Sequence, residues 1–184
     1  MTADARARSP LADRVADLAT IGAELVPLLA QVDLRVDPAY AGLAPYPLPI
    51  EPNMAVDDGR RAALWLGPDE WLILGPPGAA AEIVAELEAA FAHVDRSVVD
   101  VSANRVAIEL TRPERFDLLA YVCPLDLDPR VWTAGRCAQT LLGRAQVILQ
   151  ERTDTTGILV RPSFADYLVD LLLAVRGAMG GVGA

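Results

Sequence analysis

Few side chains in this sequence could carry chemistry, and their spacing narrows what that chemistry could be. Asp69 and Glu70 are adjacent carboxylates beside Trp71. Paired carboxylates do acid–base work when their surroundings push their pKa values apart. Here they follow Pro68, and an Asp in a Pro-Asp turn is better explained by bonding to its own turn backbone. His93 is the single histidine, so a Ser-His-Asp triad would have to use it. Its place at the end of an Ala-rich segment fits a helix C-terminal cap instead. Asp100 and Ser102 alternate with Val99 and Val101 and read as solvated strand residues, with a polar ligand as the rival reading. Cys123 and Cys137, with one histidine, fall short of the roughly four close ligands of a zinc site. Cys123, at an expected helix end before Pro124, reads as a buried free thiol.

What is missing excludes whole classes. All 16 basic residues are arginine. Without lysine there is no Schiff base and no Walker A loop. No Gly-x-Gly-x-x-Gly fingerprint of a dinucleotide fold occurs. A net charge of −9 with no basic stripe argues against nucleic acid and anionic membranes as partners. No apolar run approaches the ~18 residues of a membrane span, and no secretory signal is expected at the start. Reduced thiols then fit a cytoplasmic setting. Hydrophobic residues make up 53% of the chain, so either the core is large or the surface packs on partners.

The elements that must position these residues can be read in order. Residues 1–8 form an expected flexible arm. Ser9-Pro10 opens a helix with Leu11, Val15, Leu18, Gly22 and Leu25 on one face. A strand covers Leu29 to Val36. Five prolines between residues 37 and 61 forbid a continuous helix or central strand. That stretch is an ordered connector with at most a short helix near Pro38–Leu43. A hairpin follows, Ala62–Leu66 and Trp71–Leu74, then a helix from Ala79 to His93. A long strand runs from Ser97 to Leu110, with a phase change near Asn104 that predicts a bulge. Capping boxes at Thr111–Glu114 and Ser163–Asp166 start two more helices. The last carries Phe164, Tyr167, Leu168, Leu171 and Val175 on its apolar face. Strands Cys137–Leu142, Ala145–Glu151 and Gly157–Val160 lie between them, and the Gly-rich tail 177–184 is expected to be disordered.

Setting Asp69 against Asp154 pairs Ile73 with Ile158, Leu74 with Leu159 and Pro77 with Pro162. Each hairpin then runs into an amphipathic helix. The pattern predicts one α+β domain, residues 9–176, of two similar halves at about 28–95 and 96–176, each a strand-helix-hairpin-helix unit.

Five segments carry a family resemblance: Leu34-Arg35-Val36-Asp37-Pro38; Leu64 to Leu74 with its Leu-Gly-Pro-Asp-Glu-Trp core; Cys123-Pro124-Leu125-Asp126-Leu127; Cys137-Ala138-Gln139-Thr140; and Val160-Arg161-Pro162-Ser163-Phe164-Ala165-Asp166-Tyr167-Leu168. In this order the chain resembles the gamma subunit of heterotetrameric bacterial sarcosine oxidase. Pro162 departs from the pattern, which would place a second basic residue beside Arg161. The resemblance implies a fold like the folate-binding domain of aminomethyltransferases, built from duplicated ferredoxin-like halves. It implies alpha, beta and delta partner subunits in a heterotetramer that oxidises sarcosine to glycine, giving peroxide and formaldehyde or methylene-tetrahydrofolate. FAD, FMN, NAD and tetrahydrofolate would then sit on partner subunits, with no cofactor, metal or catalytic residue on this chain.

Four residues are candidates for a partner interface. Glu70 and Trp71, at a hairpin tip, read either as a partner anchor or as core, since Trp and Arg are the usual hot-spot residues. Trp132, in a long loop, reads either as an anchor or as a plug over the core edge. Arg161, where the last strand meets the last helix, either pairs with a carboxylate across an interface or solvates the helix start. Two rivals to the accessory-subunit reading are a stand-alone folate-binding protein and a homodimeric interaction protein.

Overall fold

A computed structural model describes residues 8–111 and 113–181. The elements are α1 (Val15–Ile21), β1 (Ala23–Leu25), β2 (Ala30–Val36), β3 (Ala55–Asp57), β4 (Ala62–Gly67), β5 (Glu70–Gly75), α2 (Ala80–Ala90), β6 (Arg96–Asp100), β7 (Val106–Leu110), α3 (Arg115–Ala120), β8 (Cys137–Leu142), β9 (Ala145–Glu151), β10 (Thr156–Val160) and α4 (Ala165–Gly181), with short 3₁₀ turns at Pro38–Leu43 and Pro162–Phe164. They form two compact units. One comprises Pro27–Asn104 and Gly135–Ala138; the other comprises Arg8–Val26, Arg105–Ala134 and residues 139–181.

The first unit holds a sheet of order β3-β4-β5-β2-β6, and the second a sheet of order β8-β9-β10-β7-β1. Position by position these are the same sheet. In each, a first strand (β2 or β7) lies between the last strand of a hairpin (β5 or β10) and a closing edge strand (β6 or β1). This is the strand order of a ferredoxin-like unit, so the duplicated α+β architecture read from the sequence is present. The two copies differ in how they are closed. In the first unit β6 follows α2 in the chain. In the second, the strand in that place is β1, supplied by the N-terminal segment, and Ala23, Glu24 and Leu25 pair with Leu110, Glu109 and Ile108. The halves are therefore not the contiguous 28–95 and 96–176: the boundary falls after Asn104, and residues 8–26 join the second unit.

The first unit shows why these residues form this sheet. Val32, Leu34 and Val36 alternate on β2 and are buried, while Arg35 between them is exposed. Leu34 lies opposite Trp71, and Val32 opposite Ile73. Ile83, Leu87 and Phe91 recur every four residues along α2 and its end, and all are buried in the same cluster. Trp71, Ile73 and the three β2 residues belong to it as well. The Pro-rich connector contributes the 3₁₀ turn over the expected Pro38–Leu43, begun by Asp37, whose carboxylate accepts from Ala39 N at 2.9 Å. Its short strand β3 went unseen in the sequence.

Several expectations are corrected. The first helix does not reach Leu25: Gly22, at φ 71°, is a left-handed cap that ends α1, and the chain turns into β1. The expected long strand from Ser97 to Leu110 is two strands, β6 and β7, in different sheets. The phase change near Asn104 marks the passage between units, not a bulge. Within β6, Val98 packs on the core and Val99 is exposed, the reverse of the expected facing. Thr111 does not cap α3, because its hydroxyl donates to Gly22 O at 3.2 Å. The buried face of α4 is Ala165, Leu168, Val169 and Leu172, leaving Phe164 and Tyr167 exposed as an edge-to-face pair 6.2 Å apart. Finally, α4 continues past Gly177 to Gly181, since extending a helix already nucleated by Leu171 to Arg176 outweighs three glycines. The expected arm falls on residues 1–7, outside the described residues, except for Arg8, which pairs with Asp13.

The second unit fastens its two distant chain segments with charge. Arg14 reaches Asp17 on its own helix at 2.5 Å and Asp166 and Asp170 on α4 at 3.1 and 2.5 Å. These carboxylates raise the Arg14 pKa further above its usual value, the Asp170 bond contributing most.

Candidate functional site

The second sheet carries a cleft of about 330 Å³ lined by Arg105, Gln139, Thr140, Leu141, Gln146, Val147, Ile148 and Arg161. Strand register explains why these meet. Val160 lies opposite Val106 on one side and Val147 on the other. Carried one residue further, both registers place Gln146, Arg161 and Arg105 in one row across β9, β10 and β7. Side chains in such a row stand on the same face of the sheet. The loop entering β7 contributes Arg105, the exit of β10 contributes Arg161, and Gln139 and Leu141 alternate along the edge strand β8. Arg105 is half-buried and Arg161 exposed. No acidic side chain lines the cleft among the described residues. Two arginines, two glutamines and a threonine thus border one concavity on this face of the sheet.

Of the four interface candidates, only Arg161 belongs to this cleft. Glu70 is half-buried on the first unit's hairpin, 3.7 Å from Arg35. Asp69 beside it is bound by the same arginine at 2.9 and 3.2 Å, an ion pair to strand β2 in place of the expected bond to its own turn backbone. Trp71 and Trp132 are corrected to interior residues. Trp71 is 0% exposed and its indole donates to Pro49 O at 2.7 Å. Trp132 is 7% exposed and donates to Glu151 at 3.1 Å. Both polar handles are satisfied within the chain, so neither ring is offered to a partner. Sequence reasoning missed Arg105, Gln139 and Gln146. The single available signal was that Arg105 precedes one apolar strand as Arg161 follows another, and only the pairing register gives that symmetry meaning.

Asp100, Ser102 and Cys137 are held in structural roles, while His93 is exposed just past the end of α2. Ser102 Oγ lies 2.6 Å from Asp100 Oδ1 and accepts from Gln31 N at 3.0 Å, joining the end of β6 to β2. Among the described residues no group of three or more His, Cys, Asp or Glu could hold a metal. No helix among them is long and apolar enough to cross a membrane. The Cys137 thiol is buried and donates to Met54 O at 3.1 Å and Trp65 O at 3.5 Å. Burial pushes its pKa up to about 11, away from the thiolate needed for nucleophilic attack. A C123S variant, with Cys137 as its only thiol, should therefore resist an aromatic disulfide reagent at pH 8 while folded and react fully in denaturant. Labelling of the folded variant within minutes would contradict this.

Comparison with known proteins gives a consistent result. Residues 34–177 match the family described as sarcosine oxidase, gamma subunit family. A sarcosine oxidase subunit gamma from Corynebacterium sp. (strain P-1) is 34% identical over 90% of this chain and 88% of its own length. One from Arthrobacter sp. is 33% identical over the same shares. Among solved structures, a chain of the heterotetrameric sarcosine oxidase from Corynebacterium sp. U-96, in complex with pyrrole 2-carboxylate, matches with a TM-score of 0.85 and 29% identity, over 94% of this chain and 95% of that one. The glycine cleavage system aminomethyltransferase T from Bartonella henselae shares the fold, with a TM-score of 0.60 and 14% identity over 86% of this chain and 48% of that chain.

Proposed function

Because this chain belongs to the sarcosine oxidase gamma subunit family, we propose that it is the accessory gamma subunit of a heterotetrameric sarcosine oxidase, without catalytic residues of its own. Its partners are alpha, beta and delta subunits. The parent reaction is oxidation of sarcosine to glycine, with peroxide and formaldehyde or methylene-tetrahydrofolate as the other products. FAD, FMN, NAD and tetrahydrofolate belong to the partner subunits, in the cytoplasm. The role of this chain is assembly, including support of the folate domain of the large subunit.

The observation that carries this reading is the likeness to a chain of a heterotetrameric sarcosine oxidase along nearly the full length of both. The interior supports the accessory role. Cys137 is withdrawn from reactivity, Ser102 is committed to backbone and Asp100, and two tryptophans are used as core. Tagged purification from the native cell tests the reading. Co-purification of a large flavoprotein containing FAD and FMN, with sarcosine-dependent peroxide formation, is the expected result. A colourless, well-folded chain recovered alone would overturn it, and folate binding by that isolated chain would then identify it as a stand-alone folate-binding protein.

A further inference from the structure

We propose that β6, the open edge of the first sheet, takes an extended segment of a partner subunit as a sixth strand, with an apolar side chain of that segment set beside Val99. The inference rests on the reading of this chain as one subunit of a larger complex.

The edges of the two sheets differ in what lies outside them. On β3, Ala55 N donates to Gly135 O at 2.8 Å. On β8, Cys137 N donates to Asn53 O at 2.9 Å, and Gly143 N just past its end donates to Val122 O at 2.9 Å. The edge strand β1 has three residues and is soon followed by Pro27, and short length and proline are both devices that close an edge. By contrast β6 is five residues long and pairs with β2 alone among the described residues. Val101 N donates to Gln31 O at 2.8 Å, so by the antiparallel alternation Val99 and Ser97 also bond to β2. Arg96, Val98 and Asp100 then turn their backbone N–H and C=O groups outward. Such a row of donors and acceptors at strand spacing is matched by the backbone of another extended segment.

The residues of β6 leave that edge open to a neighbour. The strand has no proline or glycine. Its two charged side chains are turned back into the chain. Arg96 donates to Glu88 and to the carbonyls of Phe91 and Val94, and Asp100 accepts from the N–H and the hydroxyl of Ser102 at 2.9 and 2.6 Å. Val98 packs on the core, and Val99 on the opposite face is 49% exposed. An apolar cross-strand neighbour would cover it. The size of the edge selects the occupant. Five residues fall far short of the ~20–30 a side that hold a stable interface, and two copies carrying a net charge of −9 each repel one another. A second copy joined at β6 alone is therefore too weakly held. A subunit already bound at other points gains main-chain hydrogen bonds there without having to bind by them alone.

The test follows amide hydrogen exchange in the free wild-type chain and in the chain assembled with the remaining subunits. The N–H groups of Arg96, Val98 and Asp100 should exchange fast in the free chain, beside slow Ser97 and Val99, and should slow by about tenfold or more on assembly. Intact assembly with those three amides unchanged overturns the added strand alone. Variants probe the same edge by sedimentation velocity. V98P removes one outward N–H and spares the bonds to β2, while V98A trims the side chain and keeps that N–H. V98P should assemble about tenfold or more weakly than V98A. V99K sets a charge beside the edge and should weaken assembly to a similar degree. V131K, the same change at an exposed loop valine, should alter it by less than about twofold. Circular dichroism and thermal midpoints, compared between V98P and V98A and between V99K and wild type, establish that the variants fold. Equal assembly by V98P and V98A, or equal weakening by V99K and V131K, overturns the proposal. A free wild-type chain that sediments as a dimer, with V98P a monomer, reassigns the edge to a second copy and overturns the partner strand. Wild type failing to assemble with the other subunits overturns the subunit reading and the strand with it.

Discussion

Replacing Glu151 by alanine is expected to destabilise the chain by about 3–5 kcal/mol, the usual cost of removing one partner from a buried ion pair. Glu151 is 3% exposed and three donors converge on it. Arg115 from α3 donates to Oε1 at 2.8 Å, Thr156 from β10 to Oε2 at 2.5 Å, and the Trp132 indole to Oε2 at 3.1 Å. Arg115 also donates to Thr156 Oγ1 at 3.1 Å. Alanine leaves a guanidinium that is 9% exposed without its counter-charge and orphans an indole N–H and a hydroxyl. Chemical denaturation at constant m-value measures the loss. The double variant R115M/E151L should cost less than E151A alone, because removing both charges also removes their desolvation penalty. A loss below about 1 kcal/mol for E151A, or a double variant worse than the single, would sink this account.

The network also shows where sequence reading stops. Arg115 and Glu151 are 36 residues apart, and Arg115 and Thr156 are 41 apart. No local pattern links them: Thr156 and Glu151 become neighbours only when β9 and β10 pair in register. The same holds for the cleft, since Arg105 and Arg161 are set side by side by pairing and not by spacing. The elements were far more legible, because periodicity is local. The alternation of Val32, Leu34 and Val36, the four-residue recurrence of Ile83, Leu87 and Phe91, and the Pro-Asp turn each state their own structure. Duplication was legible through the matched hairpins, but the exchange of the closing strand was not. Residues 23–25 are too few to show an alternation, and Gly22, which ends α1, reads as easily as a small residue within a helix face. The phase change at Asn104 was seen, yet a bulge and a crossing from one sheet to another leave the same trace in a single strand's pattern.

Trp71 brings these two kinds of information together, and its replacement by alanine should cost about 3–5 kcal/mol through cavity formation in the first unit. An indole at a hairpin tip fits an interface anchor and a core residue equally well in sequence. What decides is a partner 22 residues away, the Pro49 carbonyl, which accepts its N–H at 2.7 Å. The opposite strand does the rest, with Leu34 directly across from the ring. W71F separates the two contributions. It keeps most of the apolar contact but leaves the Pro49 carbonyl unpaired, for an expected loss of about 1–3 kcal/mol. Both variants should lower the denaturation midpoint of the isolated chain, with no partner present. That condition distinguishes core from interface: an anchor would leave the free chain's stability near wild type and weaken only assembly. If W71A proved as stable as wild type but failed to assemble, the indole would be an interface residue after all, and burial within the chain would not be the reason the Leu-Gly-Pro-Asp-Glu-Trp hairpin carries its tryptophan.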